Sequence, residues 1–239
     1  MLNKSAGQMY DWVTHTHAHI RGECQHGCSY CYMAVMRRRF RRECHCGEAR
    51  VHEPEFAVNY GSGRTIFVEN CNDMFASKIP DKWILRILAH CRQYPDNTYV
   101  FQSKNPERML TFESKFPPHV LLGTTAETDA LHPGIYAESA DDAPPPVAQR
   151  LRVLRGWGNR RRFITLEPLM KLANPEQFAN DICDSLGDLA LDFINIGVTT
   201  TKLLSVPDPT VDDLRRLMAT FKARGATVRR ILNLDRIKF

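Results

Sequence analysis

Long apolar runs are missing from this 239-residue chain, whose uninterrupted apolar stretches, Trp83–Leu85 among them, do not exceed the seven residues of Tyr30–Met36. A membrane-spanning helix needs about 20 such residues, so none is expected. The N-terminus MLNKSAGQMYDW lacks the apolar core of a secretory signal, which points to a cytoplasmic protein. Glycine (13) and proline (14) are too few and too irregular for collagen or low complexity. With 43% apolar and 25% charged residues the chain is also neither a coiled coil nor disordered, and one globular domain over 1–239 is expected. A strong charge of one sign is absent too, the net being +5.

What the chain does have is cysteine, eight in all, which in a reducing compartment suggests metal or catalysis before disulfides. Cys24, Cys28, Cys31, Cys44 and Cys46 crowd into 23 residues, while Cys71, Cys91 and Cys183 stand singly. Cys91 and Cys183 read as packing residues on helices. Its modest charge is also concentrated. Arg37–Arg42 holds five arginines in six residues, and Arg150–Arg162 holds six in thirteen with no acid. Either run alone reads as a solvated face; two together suggest an anionic partner such as nucleic acid or a nucleotide.

Short β-branched and aromatic runs recur at Thr65–Glu69, Thr98–Gln102, Val120–Thr124, Arg162–Leu166, Leu191–Gly197 and Ala226–Ile231, with a first strand near Asp11–His19. Helical periodicity lies between them, as in Pro80–Tyr94 and Val211–Arg224. Asn105-Pro106 and Asn174-Pro175 mark helix starts. Strand and helix in alternation predict an α/β fold, a partial (β/α)6 TIM-type barrel of mostly parallel strands with helices outside. Asp129–Pro146, rich in Ala, Asp and Pro, reads as an extended loop between a strand and its helix. Function is then expected at the C-terminal strand ends.

Cys24-Gln25-His26-Gly27-Cys28-Ser29-Tyr30-Cys31 spells CxxxCxxC. Three thiolates at this spacing can bind three irons of a [4Fe-4S] cube and leave the fourth open. A zinc knuckle completed by His26, Cys44, His45 or Cys46 is the alternative, but zinc sites favour CxxC pairs. With Tyr30 before the last cysteine, the motif resembles the radical SAM signature CxxxCxΦC. More narrowly, the chain is similar to phage-associated radical SAM-like proteins of incompletely assigned function, through Thr14–Tyr32, Ile66–Ala76, Phe101–Arg108, Leu122–Thr128, Ala143–Pro146, Phe163–Met170 and Phe193–Gly197.

That resemblance implies a [4Fe-4S] cluster on Cys24, Cys28 and Cys31. It also implies S-adenosylmethionine cleaved reductively to a 5′-deoxyadenosyl radical, and an electron donor such as flavodoxin or ferredoxin. It places cofactor contacts at Tyr30, Glu69, Asn70, Ser103, Lys104, Thr125, Glu127, Glu167, Asn195 and Gly197. The family's Gly-Gly-Glu is replaced here by Glu69-Asn70-Cys71. A phage origin would make the compartment the host cytoplasm. Cys71 is either a hydrogen donor to a product radical or a small core residue, and Lys104 either an anion partner or a solvated lysine. His15, His17 and His19 alternate, so they either bind a metal or line the floor of the site. Cys44 and Cys46 with His52 suggest a second, zinc-type site. The rival to the enzyme is a non-catalytic zinc or iron–sulfur nucleic-acid-binding module.

Overall fold

The computed structural model describes all residues except 1, 8, 41–45, 140, 159, 189–191, 200–205, 231–236, 238 and 239. Short strands β1 (Asn3–Lys4), β2 (His15–His17), β3 (Ile20–Arg21) and β4 (Arg50–Val51) bracket the cysteine segment and helix α1 (Tyr32–Phe40). There follow β5 (Thr65–Val68), α2 (Asp81–Arg92), β6 (Thr98–Gln102), α3 (Pro106–Thr111), β7 (Val120–Thr125) and α4 (Val147–Arg155). The chain continues through β8 (Arg162–Leu166), α5 (Pro175–Ser185), β9 (Phe193–Ile196), α6 (Val211–Ala223) and β10 (Thr227–Arg230).

One eight-stranded sheet runs β1-β2-β5-β6-β7-β8-β9-β10, and β3 pairs with β4 in a separate ribbon. Only the β1–β2 pair is antiparallel in the large sheet. Six strand–helix units followed by a last strand make the partial barrel expected from the alternation of runs. The first parallel strand is shorter than the sequence suggests: residues 11–14 precede β2 instead of belonging to it.

Alternation along the strands separates two cores. Ile66 and Val68 on β5, Tyr99 and Phe101 on β6, and Ile164 and Leu166 on β8 face the helices. There they meet Ile84, Ile87, Leu88 and Cys91 of α2 and Phe178, Ile182 and Cys183 of α5, so Cys91 and Cys183 do pack on helices. Asn105 and Asn174 cap α3 and α5 by accepting from Arg108 N and Gln177 N, and Thr210 with Asp213 forms a capping box on α6.

The opposite face is the bore of the barrel, filled by Phe67, Val100, Leu121, Phe163 and Phe193. Val13, Tyr10 and Trp12 join this cluster from the segment before β2, so the stretch read as strand plugs the bore. The Tyr10 and Trp12 rings stack 5.1 Å apart, and Trp12 meets Phe193 edge-on at 5.2 Å. Phe163 lies directly over Gly123: a Cβ there would stand 2.3 Å from its ring, so only glycine admits it.

Candidate active site

Above the aromatic plug the bore turns polar. The Tyr10 hydroxyl donates to Gln102 Oε1 at 2.9 Å and lies 2.9 Å from Thr165 Oγ1. Gln102 Nε2 donates to Thr125 Oγ1 at 3.1 Å. Thr125 also lies 3.4 Å from Lys104 Nζ, which is 3.4 Å from the Glu127 carboxylate. Glu127 is fully buried and takes two further donors, the Tyr30 hydroxyl and Arg150 NH1, the latter at 2.9 Å. Burial alone would raise the Glu127 pKa, but the charges of Arg150 and Lys104 hold it down at about 2. Arg150 is itself completely buried and spends its other donors on Pro145 O, Thr125 O and the Tyr136 hydroxyl.

Asp73, in the turn after β5, organises the other side. It accepts from Ser103 Oγ at 2.8 Å, Lys104 N at 2.8 Å, Phe75 N at 3.0 Å and His26 Nε2 at 3.0 Å. Burial opposes its ionisation, yet the His26 contact and these donors keep its pKa below the usual value.

These two carboxylates grip the cysteine loop, one at His26 and one at Tyr30. A third hold is the Tyr32 hydroxyl, which donates to Asn70 O at 2.7 Å. Gly22, at φ +90, starts the loop where a Cβ would strike Glu48 O at 2.2 Å. Ser29 N and Ala137 N bond Ile135 O and His26 O, so the 126–146 loop packs on the cysteine segment. Cys24, Cys28 and Cys31 are free and half-buried. Burial, reinforced by Asp73, pushes the Cys24 thiol up to about 12, and burial raises Cys28 against the pull of Lys104.

This donor set suits an iron–sulfur cluster. Among the described residues no three His, Cys, Asp or Glu side chains converge closely enough for one metal ion, whereas a cube holds its thiolates at separate corners. A metal bound at these thiols would take their protons' place. Next to them Asn72 is buried with neither amide atom hydrogen-bonded, and Asn195 Nδ2 is likewise buried without a partner. Such groups fit a site that takes a polar ligand.

The remaining sequence-derived candidates fall as follows. Cys71 is half-buried at the strand mouth, where its thiol and that of Cys31 help raise the Tyr32 hydroxyl after burial; it is not a core residue. Ser103, Thr125 and Asn195 are buried at strand ends, with Asn70 and Glu167 half-buried beside them. Gly197 contributes backbone only, pairing with Leu166 and Leu169. Glu69 points away from the cysteines, accepting from His19 N and Ile20 N.

Three expectations are corrected. His17 and His19 do not line the floor of the site: His17 pairs in register with Val68, on the helix-facing side of the sheet, and His15 is bonded to Thr14 near the surface. Nor does Arg150–Arg162 form one basic face, because Arg150 and Arg162 are 0% and 2% exposed. Arg162 is bound to Asp192, Leu154 O and Ser185 O, and Arg160 to Glu113. The zinc donors named with the cysteines are engaged elsewhere, His26 with Asp73 and His52 3.5 Å from Glu55. Of the cysteine–histidine group, Cys44 and His45 lie outside the described residues, as do Arg41 and Arg42.

Sequence reasoning missed Tyr10, Gln102, Asp73, Tyr136 and Arg150 as site residues. Arg150 had a signal: it shares a helical face with Leu151 and Leu154, both buried.

Solved structures share this fold. A spore photoproduct lyase variant has a TM-score of 0.60 at 10% identity, over 94% of this chain and 78% of that one. Another, with bound AdoMet and dinucleoside spore photoproduct, gives 0.56 at 10% identity over 90% of this chain, which spans only 63% of that lyase. A radical SAM methyltransferase from Sphaerobacter thermophilus gives 0.56 at 17% identity, over 95% and 69% of the two chains. The fold is therefore the partial barrel of radical SAM enzymes. No curated protein matches the sequence. The family model described as a protein of unknown function, DUF5131, matches residues 8–197, and the chain belongs to that family.

Proposed function

We propose that the protein is a radical SAM enzyme acting on a nucleic acid or nucleotide. The observation that carries this is the cysteine loop held open at the strand ends of a radical SAM-type barrel, with three free thiols and buried polar groups lacking partners beside it. Cys24, Cys28 and Cys31 hold a [4Fe-4S] cluster, and the strand ends hold S-adenosylmethionine. Bound together, cluster and cofactor supply a 5′-deoxyadenosyl radical for hydrogen abstraction.

The chain's own residues orient and shield. Tyr30, pinned to Glu127, covers one side of the cysteine loop, and the Tyr10–Trp12 plug keeps water from entering the bore from below. Lys104, bridging Glu127 and Thr125, offers its remaining charge to an anionic group of the ligand. In this reading Cys71, half-buried next to Tyr32, gives a hydrogen atom to a substrate radical and becomes a thiyl radical itself. The nucleic-acid reading is supported by the dinucleoside bound to a lyase of the same fold and by arginines outside the internal network, among them the exposed Arg152.

The test is anaerobic reconstitution with iron and sulfide, followed by dithionite and S-adenosylmethionine. The expected product is 5′-deoxyadenosine, lost when Cys24, Cys28 and Cys31 become alanine. No 5′-deoxyadenosine from a fully loaded cluster refutes the enzyme, and about one zinc with no sulfide supports the binding module instead.

A further inference from the structure

Behind the first strand, away from the bore, lies a buried cluster that the proposed chemistry leaves unused. His17, His19, Tyr60 and His90 are 0–2% exposed. Each imidazole turns one nitrogen outward to an acceptor. His17 Nε2 faces Glu55 at 2.9 Å, His19 Nδ1 faces Glu69 at 2.7 Å, and His90 Nε2 faces Val58 O at 2.9 Å. As carboxylates and a carbonyl these acceptors have no hydrogen to give, and the carboxylate form suits the donors they collect: Glu55 also takes Arg21 NH2 at 2.6 Å, and Glu69 takes two backbone N–H groups. The three outer nitrogens are therefore donors.

In neutral rings the inner nitrogens are then all lone pairs. The Tyr60 hydroxyl serves His17 Nδ1 at 2.6 Å. His19 Nε2 and His90 Nδ1, 2.9 Å apart, are left as two lone pairs in contact, with Tyr60 Oη 3.3 Å from the first. One hydrogen is missing, and so is one charge. Glu55 has Arg21 as counter-ion, but among the described residues Glu69, 3% exposed, has no cation beyond the ring it touches. Its other neighbours are neutral: burial, then the charge of His19, holds the His17 pKa at about 3, and burial keeps the Tyr60 hydroxyl and the Cys91 thiol protonated.

We propose that one proton lies between His19 Nε2 and His90 Nδ1, making His19 an imidazolium locked to the Glu69 carboxylate, and that this pair positions the cysteine loop against the Cys71 turn. A proton fits the spacing better than a metal. Two imidazoles on one tetrahedral zinc, each about 2.0–2.1 Å from it, stand about 3.3 Å apart, wider than the 2.9 Å found. Glu69 is the junction: it receives His19 N and Ile20 N, which lead into the cysteine loop, and its own backbone, at φ +59, leads into Asn70 and Cys71. His19 and Glu69 are thus positioning residues, a role that rests on the radical SAM reading, whereas the proton does not.

The test begins with 15N-histidine NMR of the cluster-free chain at neutral pH. His19 is expected with both ring nitrogens protonated, and His17 as the Nε2–H tautomer. Glu69→Gln removes the counter-charge: the imidazolium signature should vanish, and iron and sulfide retained after reconstitution should fall. His90→Gln leaves an amide oxygen for the His19 Nε2–H, so His19 should stay protonated. A neutral His19 in the unaltered chain overturns the proposal without any variant having to fold. So does a stoichiometric metal ion that persists in Cys24→Ala/Cys28→Ala/Cys31→Ala and is lost with His19→Gln. Unchanged cluster retention in a folded Glu69→Gln overturns the positioning role. A protein that shows the imidazolium but never makes 5′-deoxyadenosine sinks the radical SAM reading instead.

Discussion

Arg150→Met separates a buried structural arginine from a surface arginine that meets nucleic acid. The substitution keeps the length of the side chain and removes its charge from a site with no exposure. Glu127 then keeps the Tyr30 hydroxyl, its own backbone N–H and the 3.4 Å contact with Lys104 but loses its guanidinium partner, and Pro145 O and Thr125 O lose the donors Arg150 supplies. Breaking a buried ion pair from one side costs about 3–5 kcal/mol, because the remaining charge stays desolvated. For a chain of this size that is on the order of 10 °C in melting temperature. Urea unfolding and calorimetry of the reduced, cluster-free protein measure it, with exposed Arg152→Met as control, expected within about 0.5 kcal/mol of the parent. Adding Glu127→Gln to Arg150→Met should restore part of the loss, since no unpaired carboxylate then remains. Equal midpoints for Arg150→Met and Arg152→Met, with no coupling to Glu127, would refute the reasoning.

Gly123→Ala drives a methyl into the Phe163 ring and should destabilise by about 1–3 kcal/mol, with Phe163→Leu restoring much of it; an unchanged urea midpoint would contradict the packing of the bore. Acid should weaken the fold through Glu127 and Asp73, whose pKa values are held below their ordinary ones. Their contribution is complete above the unfolded carboxylate pKa of about 4 and drains away as pH falls toward the Glu127 value of about 2. Urea midpoints from neutral pH downward should therefore fall less steeply in Glu127→Gln than in the parent, and identical slopes would count against it. If the exposed arginines bind nucleic acid, oligonucleotide affinity should drop steeply between about 50 and 200 mM salt, and Arg152→Ala should lower the salt slope by about 1. A flat profile in the parent removes that partner.

The strands were legible because a parallel sheet covered on both faces needs continuous β-branched and aromatic runs, and TYVFQ and RFITL are such runs. Helix starts were legible at Asn105-Pro106 and Asn174-Pro175, where capping chemistry is local. The cysteine loop was legible too, its spacing being its geometry. Long-range pairing was not. Nothing near Arg150 announces Glu127, 23 positions earlier, or Tyr136 across the loop. The alternation of His15, His17 and His19 correctly implies a shared direction for the two on β2, but period two cannot tell the bore from the helix side. Tyr10 and Trp12 resemble the opening of a strand because aromatic residues favour strands, and only the empty space at the bottom of the barrel makes them a plug.

Charge counting at the strand ends sharpens what the site can receive. Lys104 and Arg150 carry two positive charges against the single carboxylate of Glu127, while Tyr30 stays neutral because burial and Glu127 keep its hydroxyl protonated. Asp73 cannot absorb the surplus, since from Lys104 it takes the backbone N–H and its other donors are His26, Ser103 and Phe75. Within the Lys104–Glu127–Arg150 group itself, Asp73 and the Glu167 carboxylate near Tyr10 set aside, one positive charge is left over. Arg150 has no exposure through which to present it, whereas the Lys104 side chain is 16% exposed and reaches over the Tyr30 ring, 5.4 Å from its centre. The surplus therefore faces the cysteine loop through Lys104, on a side chain steered by Glu127 and Thr125. An anionic ligand group bound there need not break the Glu127–Arg150 pair, so the fold can be assembled before the ligand arrives and the ligand completes its charge balance.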